Sequence, residues 1–291
     1  MKEVIPMERI GFIGVGKVGT AFGVRLAEQG FPVVAAMDIV PAEAERFSAS
    51  IPGCIVYDTA QALADATDFV FITTPDDVIS QVAKEVSWHQ GQSVIHCSGA
   101  NSTAILEPAR KAGAHVGCLH PCNTFASIAQ SLENLLGSTF TLEAEEPVLT
   151  DLKRIAESLK GRWMMLRSED KGLYHASICI ACNYMYTIVD IATAMWKHFG
   201  ISQTDALSAC MPILRGTLNN LEHVGFPGCL TGPIARGDVG TIRTHLKALE
   251  EKEPEIAPLY KALGLHTIPI GLAKGTLSEQ KAAQLKALFE E

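Results

Sequence analysis

The sequence has no run of lysine and arginine residues. Its 24 basic side chains are outnumbered by 32 acidic ones, which gives a formal net charge of −8 at pH 7. Binding to nucleic acid needs clustered cations that neutralise phosphates. We therefore expect no nucleic-acid partner, and an anionic small molecule must be bound by individually placed cations.

The eight cysteines lack the paired short spacings of a zinc ribbon. Two groups could still converge on a metal: the alternating Cys118, His120 and Cys122, and the pair Cys179 and Cys182. A structural metal needs four convergent ligands, and packing in the interior is the commoner role of a reduced cysteine. We predict reduced cysteines and no metal site.

We expect no secretory leader. Residues 1–9 carry mixed charge, and the apolar stretch that follows is too short for a signal core. Residues 176–196 are long and apolar enough to be considered for a membrane, but Asn183 and Asp190 interrupt them and no basic anchors crowd their start. We interpret this stretch as a buried helix and the protein as cytoplasmic, without a membrane partner.

The strongest motif lies near the N-terminus. Residues 10–13 have the pattern of a buried strand and run directly into Gly14-Val15-Gly16-Lys17-Val18-Gly19. A helical pattern follows, Gly30 ends it, and a second apolar strand ends in Asp38. A glycine-rich turn could belong to another α/β fold, but this order of strand, turn, helix, strand and acid is typical of dinucleotide binding.

Each part of the turn has a physical role in this interpretation. Gly14 permits the tight turn, Gly16 lets the backbone approach a pyrophosphate, and Gly19 lets helix and strand pack closely. The helix that starts at Lys17 and Val18 offers free N–H groups to the phosphates. The sequence therefore predicts NAD or NADP bound by these residues.

Asp38 bears on which of the two cofactors is preferred. A carboxylate at this position can accept from both ribose hydroxyls of NAD and repels the additional phosphate of NADP, which usually needs a nearby arginine. The nearest basic residue, Arg46, lies about a turn too far along the next helix. We predict a preference for NAD over NADP.

The remaining pattern predicts two domains. Strand and helix alternate through residues 1–167, which is typical of a doubly wound α/β Rossmann sheet. From residue 168 the apolar residues keep helical spacing, so residues 168–291 are predicted to form an all-α domain. Apolar helices around residues 176–196 and 205–221 offer more hydrophobic surface than one small domain buries, which favours a homodimer.

Two further loops follow strands of the predicted sheet. Because ligands of open α/β sheets lie beyond the carboxyl ends of the strands, we expect Thr74 and Pro75 beside the adenosine and Ser98 and Gly99 beside the nicotinamide. Ser98 could instead be an ordinary turn serine. His120, at the end of another strand, could donate to a substrate carbonyl or serve only the local structure.

The first helix of the second domain carries a possible proton donor. Lys171 and His175 share one helix face, and Asn183 lies about a quarter turn round. Reduction of a carbonyl by hydride needs a proton on the oxygen, which a desolvated lysine or histidine can supply, although Lys171 could also be a solvated surface residue. Further along, Arg236 could hold a carboxylate or pair with Asp238, which is suited to cap the next helix.

Together these motifs resemble the Rossmann-like oxidoreductases whose helical C-terminal half is a domain of unknown function. That group is related to ketopantoate reductases, pyrroline-5-carboxylate reductases and the 6-phosphogluconate dehydrogenase superfamily. The resemblance is carried by residues 11–19, 94–99, 119–121 with Thr124 and Phe125, 174–176 with Asn183, and 230–238. It implies a nicotinamide-dependent reductase with a C-terminal domain of the 6-phosphogluconate dehydrogenase type that forms the dimer.

The resemblance also sets the functional expectation. In 6-phosphogluconate-type dehydrogenases the lysine of this helix is followed four positions later by asparagine, whereas here His175 follows Lys171, so the proton donor stays open between them. We predict reduction of a small carboxylate-bearing carbonyl compound, with 2-dehydropantoate (ketopantoate) as the first candidate. Asn183 and Ser98 would orient it, and Arg236 would hold its carboxylate. The alternatives are reduction of a cyclic imine and a non-catalytic NAD(H)-binding redox sensor.

Overall fold

The computed structural model describes residues 8–291. Most of the segment on which the expectation of no secretory leader rests, residues 1–7, lies outside the described residues. The cytoplasmic location therefore stays a prediction from the sequence.

Eight strands form a single sheet. They are β1 (Ile10–Ile13), β2 (Val33–Met37), β3 (Ile55–Val56), β4 (Phe69–Ile72), β5 (Ser93–His96), β6 (His115–Cys122), β7 (Thr139–Ala144) and β8 (Arg162–Met165). Their order is β3-β2-β1-β4-β5-β6-β7-β8. Strands β1 to β6 are parallel to one another, β7 is antiparallel to β6, and β8 is parallel to β7.

Helices cover both faces of this sheet. They are α1 (Lys17–Glu28), α2 (Pro41–Ala49), α3 (Ala60–Ala66), α4 (Asp76–Glu85), α5 (Glu107–Lys111), α6 (Ile128–Leu135), α7 (Val148–Ser158) and α8 (Lys171–Ala181), with 3-10 turns at Thr103–Leu106 and Ser168–Asp170. The structure confirms the predicted doubly wound α/β fold. Helix α6 is an addition that the sequence patterns did not indicate.

Both faces of the sheet are apolar. Successive side chains of a strand point to opposite faces, and helices cover each face. On one face, Phe12 stacks on Phe71 with ring centroids 4.9 Å apart, and Phe22 of α1 packs on Phe71 at 5.7 Å. On the other, Val70 and Val94 are fully buried beneath helices α3 to α5. The sheet is thus supported on both faces, and its carboxyl edge carries the loops that follow β1, β4 and β5.

The chain divides into two compact units, one ending at Asn183 and the other spanning Tyr184–Glu291. The predicted boundary after residue 167 falls earlier, because helix α8 packs on the sheet of the first unit through Lys171 and Tyr174. We describe α8 with that unit.

The second unit is all-helical, as predicted. It contains α9 (Asn183–Ala194, whose first residue ends the first unit), a 3-10 turn at Met195–Phe199, α10 (Gln203–His223), α11 (Val239–Lys252), α12 (Ala257–Lys274) and α13 (Glu279–Glu290). Its core is formed by α11, α12 and α13, with Ile242 and Leu285 completely buried. Asp238 caps α11 as expected, since its Oδ1 accepts from the Thr241 N–H at 3.0 Å.

The long apolar segment of the chain is exposed. Ser168–Phe199 is the one described segment long and apolar enough to cross a membrane by length and composition, and 6% of its most apolar window is buried within the chain. The prediction of a buried helix over residues 176–196 is therefore wrong for the single chain. The physical reason is that α11 to α13 already complete a core without α9, of which Thr193 is the buried residue.

Candidate active site

The glycine turn between β1 and α1 has the geometry that its sequence predicts. Gly14 has a φ of +85°, and a Cβ there would lie 2.8 Å from the Thr74 nitrogen. At Gly19 a Cβ would lie 2.4 Å from the Gly14 carbonyl oxygen. The turn, the helix and the loop after β4 are therefore too close for any larger residue at these two positions.

Gly16 is different, because nothing lies within 4 Å of the position its Cβ would occupy. Gly16 is the residue just before α1, and it has no side chain that could cap the first N–H groups of the helix. Gly16 and Lys17 are both exposed, whereas Val18 is half-buried. The helix N-terminus is open on the side where a diphosphate would bind.

Asp38 at the end of β2 is held by backbone donors. Its Oδ2 accepts from the Val15 N–H at 2.8 Å and its Oδ1 from the Val40 N–H at 2.9 Å. The carboxylate is half-buried and therefore fixed in position beside the glycine turn. Each oxygen still has a lone pair for a hydroxyl group.

A cavity of about 530 Å³ joins these groups. Its lining includes the predicted cofactor residues Gly14, Gly16, Asp38, Thr74 and Pro75. The charged side chains among its described lining residues are acidic, namely Asp38 and Glu85. Arg46 is paired with Glu43 on α2 instead.

The loop after β5 uses the Ser98 hydroxyl internally. Ser98 Oγ donates to Asp76 Oδ2 at 2.7 Å and accepts from the Asn101 backbone and side-chain nitrogens, each at 3.1 Å. A hydroxyl has one proton to donate, and here that proton is committed to Asp76. Ser98 is buried and shapes the loop.

Gly99, the next residue, lies against two imidazoles. A Cβ at Gly99 would lie 2.7 Å from His120 Nε2 and 2.9 Å from His175 Cδ2. The ring centroids of the two histidines are 6.5 Å apart. The absence of a side chain at Gly99 therefore brings the end of β6 and helix α8 together at the carboxyl edge of the sheet.

His120 is held in a largely buried position. Its Nδ1 lies 2.9 Å from the Tyr174 hydroxyl oxygen. Burial, together with the positive charge of Lys171 and the neighbouring His175, lowers the pKa of His120 to about 4. The imidazole is therefore neutral near pH 7 and presents one donor and one acceptor nitrogen.

Lys171 does not lie at the open edge. Its side chain is 2% exposed, and its Nζ donates to Cys118 Sγ at 2.8 Å and lies 3.5 Å from Glu143 Oε2. The Cys118 thiol donates in turn to the Ser98 carbonyl at 3.3 Å. The ammonium group is therefore sealed beneath the loop that carries Ser98 and Gly99.

Glu143 completes this buried pair. Its Oε1 accepts from the Thr103 N–H and hydroxyl, at 3.0 and 2.7 Å, and from Ser168 Oγ at 2.6 Å. Burial raises the pKa of Glu143, but these hydrogen bonds and the Lys171 charge lower it by more, so its pKa lies below the usual range. The residue is ionised and balances Lys171.

Asn183 and Arg236 stay predictions as site residues. Asn183 is exposed at the first residue of α9, and its side chain has no hydrogen bond within the described residues. Arg236 belongs to the helical unit, is exposed, and makes no ion pair within 4.0 Å among residues 8–291. Its charge lowers the pKa of Asp238 less than the hydrogen bonds from Thr241 do.

The sequence interpretation missed Tyr174 and Glu143 as members of the site. Tyr174 was visible as the neighbour of His175 in a matching segment, but its partner His120 lies far away in sequence. Glu143 became a neighbour of Cys118 only through the antiparallel register of β6 and β7. All described cysteines are free, and no group of three or more potential metal ligands occurs within residues 8–291.

The comparison with family profiles agrees with this architecture. Residues 4–121 match the Rossmann-like domain, and residues 138–267 match the domain of unknown function DUF2520. The chain is a Rossmann-like protein with a DUF2520 domain. The DUF2520 match begins just before β7, so it includes Glu143 and all of α8, while His120 belongs to the Rossmann-like match. No curated protein sequence matches the chain.

Solved structures share the fold at low sequence identity. A protein from Thermotoga maritima is 20% identical with a TM-score of 0.73, covering 91% of this chain and 99% of its own. A reductive aminase from Aspergillus terreus, in complex with NADPH and ethyl-5-oxohexanoate, is 15% identical with a TM-score of 0.61, covering 98% and 93%. A pyrroline-5-carboxylate reductase from Coxiella burnetii is 19% identical with a TM-score of 0.59, covering 96% and 98%.

Proposed function

We propose that the protein is an NAD(P)-dependent reductase of a small carbonyl or imine compound. The observation that carries this proposal is the combination of an open α1 N-terminus at Gly16 with two imidazoles packed on Gly99. The cofactor would supply a hydride at its nicotinamide ring. The chain supplies the phosphate cradle, the ribose acceptor Asp38 and the polar groups at the reacting end.

NAD is the proposed cofactor rather than NADP. Asp38 and Glu85 line the cavity, and its described lining residues include no lysine or arginine to hold a 2′-phosphate. Arg46, the candidate identified by spacing, is paired with Glu43. The reductive aminase of similar fold was solved with NADPH, so the ratio of activity with the two cofactors is a direct test.

For the proton donor we favour His175 over Lys171. Lys171 Nζ is buried with Cys118 and Glu143, whereas the His175 ring is partly exposed and lies against Gly99. His175 Nδ1 has the Cys179 thiol 3.8 Å away, which leaves the other ring nitrogen for a substrate. Lys171 would then act on the site through its positive charge. Burial is the main cause of the lowered pKa of His120, and the charge of Lys171 is the second.

The substrate class has two candidates. A carboxylate-bearing carbonyl compound, with ketopantoate first, follows from the sequence interpretation, with Arg236 proposed to hold the carboxylate and Asn183 to orient the substrate. Reduction of a cyclic imine is the second, because structures of similar fold are named a reductive aminase and a pyrroline-5-carboxylate reductase. Ketopantoate remains the first substrate to assay.

The test is oxidation of NADH and NADPH by the purified protein with ketopantoate, pyruvate, other 2-keto acids and pyrroline-5-carboxylate. We expect turnover with one member and faster reaction with NADH. His175→Gln should lower kcat by about 10²-fold or more while cofactor binding persists. His245→Gln, which changes a histidine in the helical unit, is the matched control. Tight cofactor binding with no turnover of any substrate would overturn the reductase in favour of a redox sensor.

We further propose that the protein is a homodimer through its helical unit. Helices α9 and α10 leave large apolar side chains in water, including Tyr186, Ile188, Ile213 and Leu218. Apolar surface of this extent on a single chain is typical of a protein–protein interface. We propose that a second copy of the chain buries this apolar surface.

A further inference from the structure

The side chains of Tyr174 and His120 contact each other at the carboxyl edge of the sheet. The Tyr174 hydroxyl oxygen is 2.9 Å from His120 Nδ1, and the two rings meet edge to face with centroids 5.7 Å apart. Tyr174 projects from α8, whose first residue, Lys171, is anchored in the interior. The phenol is therefore held in place by the helix and contacts the side of the imidazole that faces away from Gly99.

The direction of this hydrogen bond follows from the neighbours. Burial raises the pKa of the Tyr174 phenol, so it keeps its proton. His120 Nδ1 lies at hydrogen-bond distance from the phenol oxygen, and a neutral imidazole nitrogen is a stronger acceptor than a phenol oxygen. The phenol proton is therefore available to be donated.

Two acceptors adjoin the Tyr174 hydroxyl. One is His120 Nδ1, and the other is the Cys122 thiol, which raises the pKa of Tyr174 further. An imidazole nitrogen with a free lone pair is a stronger acceptor than a thiol sulfur. The phenol proton therefore points to His120 Nδ1.

We propose that Tyr174 is a positioning residue that fixes His120 as its Nε2–H tautomer. The second ring nitrogen, Nε2, faces Gly99, where a Cβ would lie 2.7 Å away. A neutral imidazole held in this way presents a single N–H donor at the carboxyl edge of the sheet. The Tyr174 hydroxyl donates to His120, and His120 donates to the ligand.

This tautomer narrows the substrate class, a step that rests on the proposed reductase function. A carbonyl oxygen accepts hydrogen bonds and gains negative charge as hydride adds to the carbon, so an N–H donor stabilises its transition state. A protonated imine nitrogen is itself a donor and has no lone pair for His120. The arrangement therefore favours a carbonyl substrate over a protonated imine.

The tautomer can be measured without a substrate. In the full-length protein labelled at the imidazole nitrogens, heteronuclear NMR separates protonated from unprotonated ring nitrogens. We expect His120 to carry its proton on Nε2, and Tyr174→Phe to convert that signal into a mixture of both tautomers.

A matched control exists in the helical unit. His245 Nδ1 lies 2.8 Å from the Tyr260 hydroxyl in an exposed pair of the same type. Tyr260→Phe should change the His245 signal and leave that of His120 unaltered. A proton on His120 Nδ1 in the unsubstituted protein, or an unaltered His120 signal in Tyr174→Phe with preserved near-ultraviolet circular dichroism, would overturn the proposal.

Kinetic measurements distinguish a failure of this proposal from a failure of the proposed reductase function. With a carbonyl substrate, Tyr174→Phe should lower kcat about tenfold, the loss expected for one net hydrogen bond, while KM for NADH stays within about twofold. If no substrate is reduced at all, the proposed function fails but the NMR result still decides the tautomer. If an imine alone is reduced while His120 carries its proton on Nε2, the inference about substrate class fails.

Discussion

Among single residues, Gly16 and Gly19 test the cofactor cradle most directly, because the same substitution should act differently at each. Gly16→Ala places its methyl group in open space, so we expect unchanged thermal stability and at least tenfold weaker NADH binding, since the methyl group occupies the path of the pyrophosphate. Gly19→Ala forces a Cβ against the Gly14 carbonyl and should destabilise the fold by about 1–3 kcal/mol. Thermal denaturation and fluorescence titration with NADH measure the two effects. Unimpaired NADH binding by Gly16→Ala would exclude this turn as the cradle.

The buried pair of Lys171 and Glu143 provides a second residue-scale prediction. Lys171→Met leaves Glu143 ionised in the interior without its cation and should lower the free energy of unfolding by about 3 kcal/mol. Adding Glu143→Gln should restore part of that loss, because no buried charge then remains. Urea denaturation of the single and double variants gives the coupling. A Lys171→Met variant as stable as the parent would show that the pair contributes nothing to the fold.

The lowered pKa values of two buried histidines predict how the stability of the protein depends on pH. Burial lowers the pKa of His96 to about 3 and that of His120 to about 4, both below the value of 6.5 for the unfolded chain. Between these values the unfolded state binds more protons, so stability is complete above pH 6.5 and is lost as the pH falls. Each histidine should account for about 1 kcal/mol per pH unit in that range. Denaturation at pH 7, 6 and 5 measures the slope, and a flat profile would contradict it.

At the scale of elements, the cap of α11 is the clearest local interaction. Asp238 accepts from both the Thr241 N–H and the Thr241 hydroxyl, at 3.0 and 2.7 Å. Asp238→Ala should lower the free energy of unfolding, whereas Asp238→Asn, which keeps a capping oxygen, should lower it by less. Chemical denaturation compares the two variants. Equal losses would indicate that the charge matters more than the cap.

The elements also show what the sequence could predict. Strand β1, helix α1 and strand β2 were predictable because glycine spacing, apolar periodicity and Asp38 all indicate the same structure. The sequence was sufficient to predict which loops form the site, but not which side chains contact each other there. Ser98 and Lys171 have partners that depend on how the strands pair, and no local pattern contains that information. Helix α6 was missed although Ser127 caps it, because its apolar face is short.

At the scale of the whole molecule, the exposed apolar helices predict association. Ile213 on α10 is 70% exposed, and Ile213→Lys should convert a dimer to a monomer by placing a charge in the interface. Ile55→Lys changes a comparably exposed isoleucine, at 57%, on the edge strand β3 and serves as the matched control. Sedimentation analysis measures the mass of each variant. A monomeric parent protein, or one that partitions into lipid vesicles, would contradict dimerisation through these helices.

The hydrogen bond from the Val15 N–H to Asp38 ties the residue that would select the cofactor to the turn that would hold its phosphates. Accepting a 2′-phosphate would require exchanging Asp38, because its carboxylate repels that group. In this chain such an exchange removes a support of the phosphate loop together with the negative charge. Engineering the cofactor preference would therefore require a replacement acceptor for Val15 in the same design step, so selectivity and loop rigidity have to change together.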